Sequence, residues 1–250
     1  QALKRDEFVI HYQPKMDTVK NRMIGLEALI RWNHPDLGMI VPDRFIPLAE
    51  ETGLIIPIGE WVIREYGLQI SAWKAKGCQP LPVSINVSPV QLKRQDFSEV
   101  VRQIIEETGV DSSLLELEVT ETAIMQNTGF TTLALQRFKE MGITICIDDF
   151  GTGYSSLSQL KRFPIDTLKI DKSFIVNTEK NTDDPSIVLA IISMAHSLGL
   201  KVVAEGVETS SQLSLLCEQG CQTMQGFYFS KPLPPANIEL LMNEYRERNT

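Results

Sequence analysis

Long apolar runs are missing from this sequence. The stretch from Leu54 to Ile58 is already broken by Pro57, and nothing approaches the roughly 18 residues a membrane-spanning helix needs. A surplus of positive charge is missing too: 24 lysines and arginines stand against 32 acidic residues, a net charge of −8. That balance excludes a general nucleic-acid or anionic-membrane surface, since both need a basic footprint. Any anionic ligand must therefore find its cation locally. Cysteine is scarce, with Cys78, Cys146, Cys217 and Cys221 forming no CxxC pair. Cys146 sits in an apolar, strand-like run, so buried free thiols in a reducing compartment are expected. The three histidines (His11, His34, His196) combine with Cys217 and Cys221 in no common zinc-finger spacing. No basic-then-apolar leader opens the chain, which starts at Gln1 and is expected to be a single domain, residues 1–250, cut from a longer multidomain protein.

What is present is enough apolar residue for a large core, 43% of 250, with 22% charged. Disorder, collagen and a small disulfide scaffold are excluded. One unit recurs: an amphipathic helix, a glycine able to take the left-handed stop, then a short apolar strand with a polar end. Ile58, Trp61, Val62, Tyr66, Ile70 and Trp73 form a helical stripe closed by Gly77 and followed by the strand Val83 to Val87. Asp96 with Glu99 spells a capping box for a helix ended by Gly109, before the strand Leu115 to Val119. A helix through Leu133 and Phe138 stops at Gly142, before Ile143 to Ile147. The stretch Leu157 to Phe163 precedes the strand Thr167 to Ile170. Asp184 and Pro185 open a helix closed by Gly199, before Lys201 to Ala204. Thr209 with Gln212 caps the next helix, Gly220 ends it, and Met224 to Phe229 follows as a strand.

Helical crossovers imply parallel pairing of these six strands. The first two, Phe8 to Met16 and Met23 to Arg31, are separated only by Asp17 to Arg22, too short for a crossover, so they form an antiparallel hairpin. Two plus six predicts a (β/α)8 TIM-like barrel with an antiparallel first strand; an open doubly wound sheet is the alternative.

In such barrels the chemistry sits at the carboxyl ends of the strands. Those ends carry Glu27 in LEAL, Asn86 in INVS, Glu118 and Glu121 in LEVTE, Asp148 and Asp149 in IDDFG, Lys169 and Asp171 in LKID, Glu205 and Glu208 in AEGVE, and Gln225 in MQG. A single acid here is ordinarily a cap or a solvated charge, but this many on one rim repel each other unless cations neutralise them. Oxygen donors without matching His or Cys fit hard divalent ions, Mg²⁺ or Mn²⁺. Two such ions about 3.5–4 Å apart suit phosphate-ester hydrolysis. Asp149-Phe150-Gly151 also spells the kinase DFG, but without an HRD loop or a VAIK lysine strand. GTGYSS lacks the GK[ST] ending of a phosphate-cradling loop.

Glu27-Ala28-Leu29 followed by Arg31, with INVS, EVTE, DDFGTGYSS, LKID, EGVE and QGF in this order, resembles the EAL family of cyclic di-GMP phosphodiesterases over nearly the whole chain. The resemblance implies the barrel with a reversed strand and hydrolysis of cyclic di-GMP to linear pGpG with two Mg²⁺ or Mn²⁺ ions. By similarity, Glu27, Asn86, Glu118 and Asp148 hold one ion, while Asp148 bridges to a second held by Asp149 and, partly through water, by Glu205. Lys169 contacts the attacking water, Asp171 helps to orient that lysine, and Glu205 joins them as a catalytic residue. Gln13, Leu29, Arg31 and Gln225 meet substrate, with Gln225 and Glu208 completing a hydrogen-bonded shell. Glu121 supports the mobile loop Asp149 to Ser156 and links it to a homodimer contact.

Further partners implied are a sensor or GGDEF domain N-terminal in the parent chain, with no polymeric nucleic acid and no membrane contact by this domain. The domain is expected in the cytoplasm, whether or not its parent is membrane-anchored. Some members of the family lose ligands and act as cyclic di-GMP receptors or interaction modules. None of the positions named above departs from the motif, so catalysis is the expectation here.

Overall fold

The structure, a computed structural model, describes residues 2–125, 128–153, 157–176 and 184–247. Nine strands occur among them: β1 Phe8–Asp17, β2 Arg22–His34, β3 Gly38–Ile40, β4 Val83–Val87, β5 Leu115–Thr120, β6 Thr144–Phe150, β7 Thr167–Ile170, β8 Lys201–Ala204 and β9 Thr223–Met224. Their order is β1-β9-β8-β7-β6-β5-β4-β2-β3, and β1 also pairs with β2, so the sheet closes into an eight-stranded barrel with β3 outside it. Strand β1 is antiparallel to both its neighbours, β2 and β9, while β2 and β4 through β9 run parallel. The predicted barrel with one reversed strand is the observed one. No helix of the described chain is long and apolar enough to cross a membrane.

The crossover helices form because their apolar residues recur at helical spacing. In the helix Ile55–Ala75, Ile58, Val62, Tyr66, Ile70 and Trp73 face the barrel and are buried, with Trp61 half-buried beside them. Removing side chains of this size from water stabilises the packed helix by about 1.5–3 kcal/mol each. The helix Phe97–Thr108 ends at Gly109, whose φ of 65° is costly for any residue with a Cβ. The remaining predicted stops, Gly77, Gly142, Gly199 and Gly220, also have positive φ. Thr209 and Gln212 form the predicted capping box, and Ser88 with Gln91 forms another on the turn after β4.

Three local expectations are corrected and one strand is added. Asp96 stands at the expected N-cap of the helix but its side chain makes no capping bond: its carboxylate pairs with Arg94 Nε at 2.9 Å and Nη2 at 2.6 Å, and Glu99 pairs with Arg102. Two nearby arginines, Arg94 just before the helix and Arg102 one turn along it, take the carboxylates from the box. The last barrel strand stops at Met224 because the chain turns at Gly226, where a Cβ would meet the Val207 carbonyl oxygen at 2.1 Å. The short strand β3, paired to Trp32–His34, was not predicted. All four cysteines are free, but Cys217 is exposed while the other three are buried. The helix Asp184–Ser197 starts at the predicted place, although the side chain of Asp184 lies outside those described.

Candidate active site

The carboxyl ends of the parallel strands converge on one ammonium group. Lys169, near the end of β7, is 1% exposed, and four carboxylates surround its Nζ. Glu118 Oε2 from β5 lies at 2.6 Å, Asp148 Oδ1 from β6 at 3.3 Å and Glu27 Oε2 from β2 at 3.6 Å. Glu205, just past β8, completes the group through Oε1. These residues meet because parallel strands of a barrel end at one face and alternate residues point inward.

Amides brace the acids. Glu27 Oε1 accepts from Asn86 Nδ2 at 2.8 Å and its Oε2 accepts from Gln225 Nε2 at 2.6 Å. Gln225 Nε2 also donates to Gln13 Oε1 at 3.1 Å, and Gln13 Nε2 donates to the Ser230 carbonyl at 3.0 Å. The backbone N–H of Asp149 donates to Asp148 Oδ1 at 2.9 Å, a contact reached with Asp149 in the left-handed region at φ 53°.

The charges are unevenly held. Burial pushes the Lys169 ammonium down, but Asp148, Glu118, Glu205 and Glu27 raise it well above the usual lysine range. Burial also pushes Glu205 up to about 8, against the pull of Lys169, and lifts Asp149 to about 6 with Asp148 and Asp171 adding to it. Glu27 is raised by burial first and Glu118 next. Burial thus favours the neutral acid at Glu205, Asp149 and Glu27, so the rim carries more carboxylate than its lysines offset without further cations.

That excess tests whether divalent metal fits. The donors are all hard oxygens, carboxylates with the Asn86 amide, without histidine or thiolate, as Mg²⁺ and Mn²⁺ require. Gln225, which lines the same cleft, has its Oε1 buried without a hydrogen-bond partner among the described residues. The residues fit a divalent-metal site. A separate trio, Glu116, Glu118 and Cys146, also brings ligand-type atoms within 4.8 Å of one another, but Lys15 Nζ already bonds both of its carboxylates.

Above the acids opens a cleft of about 430 Å³ lined by Leu29, Arg31, Glu208 and Phe227 together with Glu27, Asp148 and Lys169. Half-buried Arg31 donates from Nη1 to the Ile30 carbonyl at 2.9 Å, which aims its guanidinium along the wall. Glu208 is exposed at the cleft edge; its backbone N–H donates to Gln212 Oε1 at 2.7 Å, and the expected hydrogen-bonded shell forms around Gln225 without its carboxylate. Asp171 is not among the carboxylates within ion-pair distance of Lys169. It accepts from the Ser173 N–H at 2.9 Å and stands beside Asp149.

Glu121 begins the turn after β5 and is 2% exposed, its carboxylate accepting from the backbone N–H groups of Gly151 and Gly153. This is the expected loop contact as far as Gly153; residues 154–156 lie outside those described. Sequence reasoning missed Lys15. The signal was available, since Lys15 shares a strand face with Gln13 two residues away and has no reason to be apolar-facing unless paired.

A model of the EAL domain family matches residues 1–232. The cyclic di-GMP phosphodiesterase NbdA of Pseudomonas aeruginosa is 45% identical over 246 residues, which covers 98% of this chain and 31% of that protein. The cyclic di-GMP phosphodiesterase PdeR of Escherichia coli is 41% identical, covering 99% of this chain and 37% of its own length. The chain thus spans about a third of the curated relatives it matches. A solved structure of the PaMucR phosphodiesterase in complex with cyclic di-GMP superposes with a TM-score of 0.92 at 44% identity, covering 95% of this chain and 96% of that one. With the family model running through β1 to β9 and Glu27, Glu118, Asp148, Lys169 and Glu205 of its motifs meeting at one rim of the barrel, the chain belongs to the EAL domain family.

Proposed function

We propose that this domain is a metal-dependent phosphodiesterase that cleaves one phosphodiester of cyclic di-GMP to give linear pGpG. The observation that carries the reading is the meeting of Glu27, Glu118, Asp148 and Glu205 around Lys169 beneath an open cleft walled by Arg31. The names of NbdA, PdeR and the PaMucR complex support it for proteins of this family.

Glu27, Asn86, Glu118, Asp148, Asp149 and Glu205 would hold two ions, Mg²⁺ or Mn²⁺. When bound, such ions supply Lewis acidity at the phosphate and lower the pKa of water towards neutrality. Arg31 donates paired N–H groups to a phosphate entering the cleft, as a planar guanidinium does. Leu29 offers an apolar face to the nucleobase, and Gln13 and Gln225 fix Glu27 against rotation. Lys169 keeps its proton in this acidic surrounding, so it acts by orienting the nucleophilic water and by offsetting negative charge that develops on the phosphate, rather than as a base. Burial of Lys169 and Glu118 strengthens those electrostatic contacts by excluding bulk water.

The same reading extends to partners: a homodimer that the Glu121-braced loop contacts, and a sensor or GGDEF domain in the parent protein. The domain itself would work in the cytoplasm. The test is product analysis of the purified domain with Mg²⁺ or Mn²⁺, with Glu27→Ala as the blank. Metal-dependent formation of pGpG is the expected result; recovery of intact, bound cyclic di-GMP would make the domain a receptor, and neither binding nor hydrolysis would make it an interaction module.

A further inference from the structure

Inside a barrel, every second residue of a strand shares the interior face. Two residues before the rim positions on β4, β5 and β7 stand Ser84, Glu116 and Thr167. On the reversed β1 the order inverts, so Lys15 follows Gln13 by two. These deeper side chains touch. Lys15 Nζ donates to Ser84 Oγ and, at 2.6 Å, to Glu116 Oε1. Ser84 Oγ donates to Glu116 Oε1 at 2.5 Å, and Thr167 Oγ1 to Glu116 Oε2 at 3.4 Å. Gly25 lies opposite Lys15 in the hairpin, and a Cβ there would come within 3.3 Å of the Pro82 carbonyl oxygen.

One further bond rises out of this layer. Lys15 Nζ donates to Glu118 Oε1 at 2.9 Å, while Lys169 Nζ donates to Glu118 Oε2 at 2.6 Å. A buried glutamate is thus held between two lysines, one from the strand layer below and one from the rim. Burial raises its pKa, but Lys15 first and Lys169 next bring it down to about 2. Barrel interiors are ordinarily filled by branched apolar side chains, and a buried ion pair is weak as a source of stability against such packing. The polar layer therefore calls for a role that Val or Leu could not fill.

We infer that Lys15 is a positioning residue of the active site: it holds Glu118 Oε1 from beneath, fixing the carboxylate so that Oε2 faces Lys169 and the cation-binding space. Glu116 and Ser84 hold Lys15 in turn. Lys15 does not line the cleft, so it touches neither substrate nor the reacting atoms. The inference rests on the reading of the rim as a divalent-metal site.

The experiment removes the buried pair together, Lys15→Met with Glu116→Gln, so that no lone charge is left inside. After a circular dichroism check of folding, Mn²⁺ binding is measured by calorimetry without substrate, and kcat and KM are then measured at saturating Mn²⁺. The expected result is at least about a tenfold loss of Mn²⁺ affinity with KM for cyclic di-GMP within about twofold of the parent, as for removal of a group that supports a ligand from behind. A folded variant with unchanged Mn²⁺ affinity, or with its loss confined to KM, overturns the inference. If that variant does not fold, Ser84→Ala with Glu116→Gln loosens Lys15 in place. It is expected to weaken Mn²⁺ binding by about threefold or more, and unchanged binding again overturns the inference. A parent protein that binds no Mn²⁺ defeats the metal reading itself, whereas normal binding by parent and variant alike defeats only the role of Lys15.

Discussion

Glu121 Oε2 accepts the backbone N–H of Gly151 at 2.9 Å, so a carboxylate at the start of one turn holds the chain just after the two aspartates of another. The N–H of Gly153 joins the same oxygen at 3.2 Å. Glu121→Ala is expected to keep the fold, weaken metal binding by about 10–100-fold through the released aspartates, and speed hydrogen exchange at Gly151 and Gly153. Parent-like metal affinity with unchanged exchange would detach Glu121 from the site.

The two glycines should respond differently to a methyl group. Gly151 has φ 101°, and a Cβ there would sit 2.7 Å from Phe174 Cε2, so Gly151→Ala should cost roughly 1–3 kcal/mol of stability in chemical denaturation. Gly153 has no such backbone constraint, but its Cβ would sit 2.8 Å from Glu121 Oε1. Gly153→Ala should therefore lower metal affinity more than stability. Equal stability losses in the two variants would count against this division.

Lys169→Met tests the central ammonium. Its partners are carboxylates and the space they enclose, so steady-state kinetics should give a kcat lower by about 100-fold or more with KM changed by less than about threefold. A rise in KM alone would move Lys169 from the chemistry to substrate binding.

Asp148→Asn should lose more activity than Asp149→Asn. Asp148 is buried, lies 3.3 Å from Lys169 and is proposed to serve both ions, whereas half-buried Asp149 is proposed to serve one. Parallel metal titrations of the two variants would show the order, and its reversal would reassign the bridge.

Ca²⁺ as the sole added metal should leave the enzyme nearly inactive and should compete with Mg²⁺. It prefers six to eight oxygens at looser distances than a compact pair of octahedral ions tolerates. Comparable turnover with Ca²⁺, read as pGpG formed, would argue against the site as assigned.

The barrel and most of its rim were legible because two periodicities write them into the chain. Helices such as Ile55–Ala75 bury residues at 3.6-residue spacing, and strands β4 to β9 each carry within two residues of their end a polar residue that the apolar pattern does not explain: Asn86, Glu118, Asp148, Lys169, Glu205 and Gln225. Glu121 was legible as a group set apart from the ligands, although its direction comes from the helical turn it begins rather than from strand alternation. Lys15 was hidden by the same reversal that identified the hairpin, since on an antiparallel strand the deeper residue comes later and no strand-end rule points to it. Asp96 misled because a short acidic side chain binds whichever donor is nearest, here Arg94, and spacing alone does not rank donors.

The seam that closes the barrel also sets when the site can exist. Strands β1 and β9 meet only at Met16 with Met224 and Asp17 with Thr223, and the site's bonds from Gln225 to Gln13 and Glu27 cross that seam over sequence separations of 212 and 198 residues. Contacts so distant along the chain are costly to form before the intervening structure is in place. The β1–β2 hairpin, by contrast, closes over a few residues. Folding therefore brings the Gln225 amide to Glu27 only as the barrel becomes a closed ring, and a partly wound chain displays the EAL glutamate with the Asn86 brace alone.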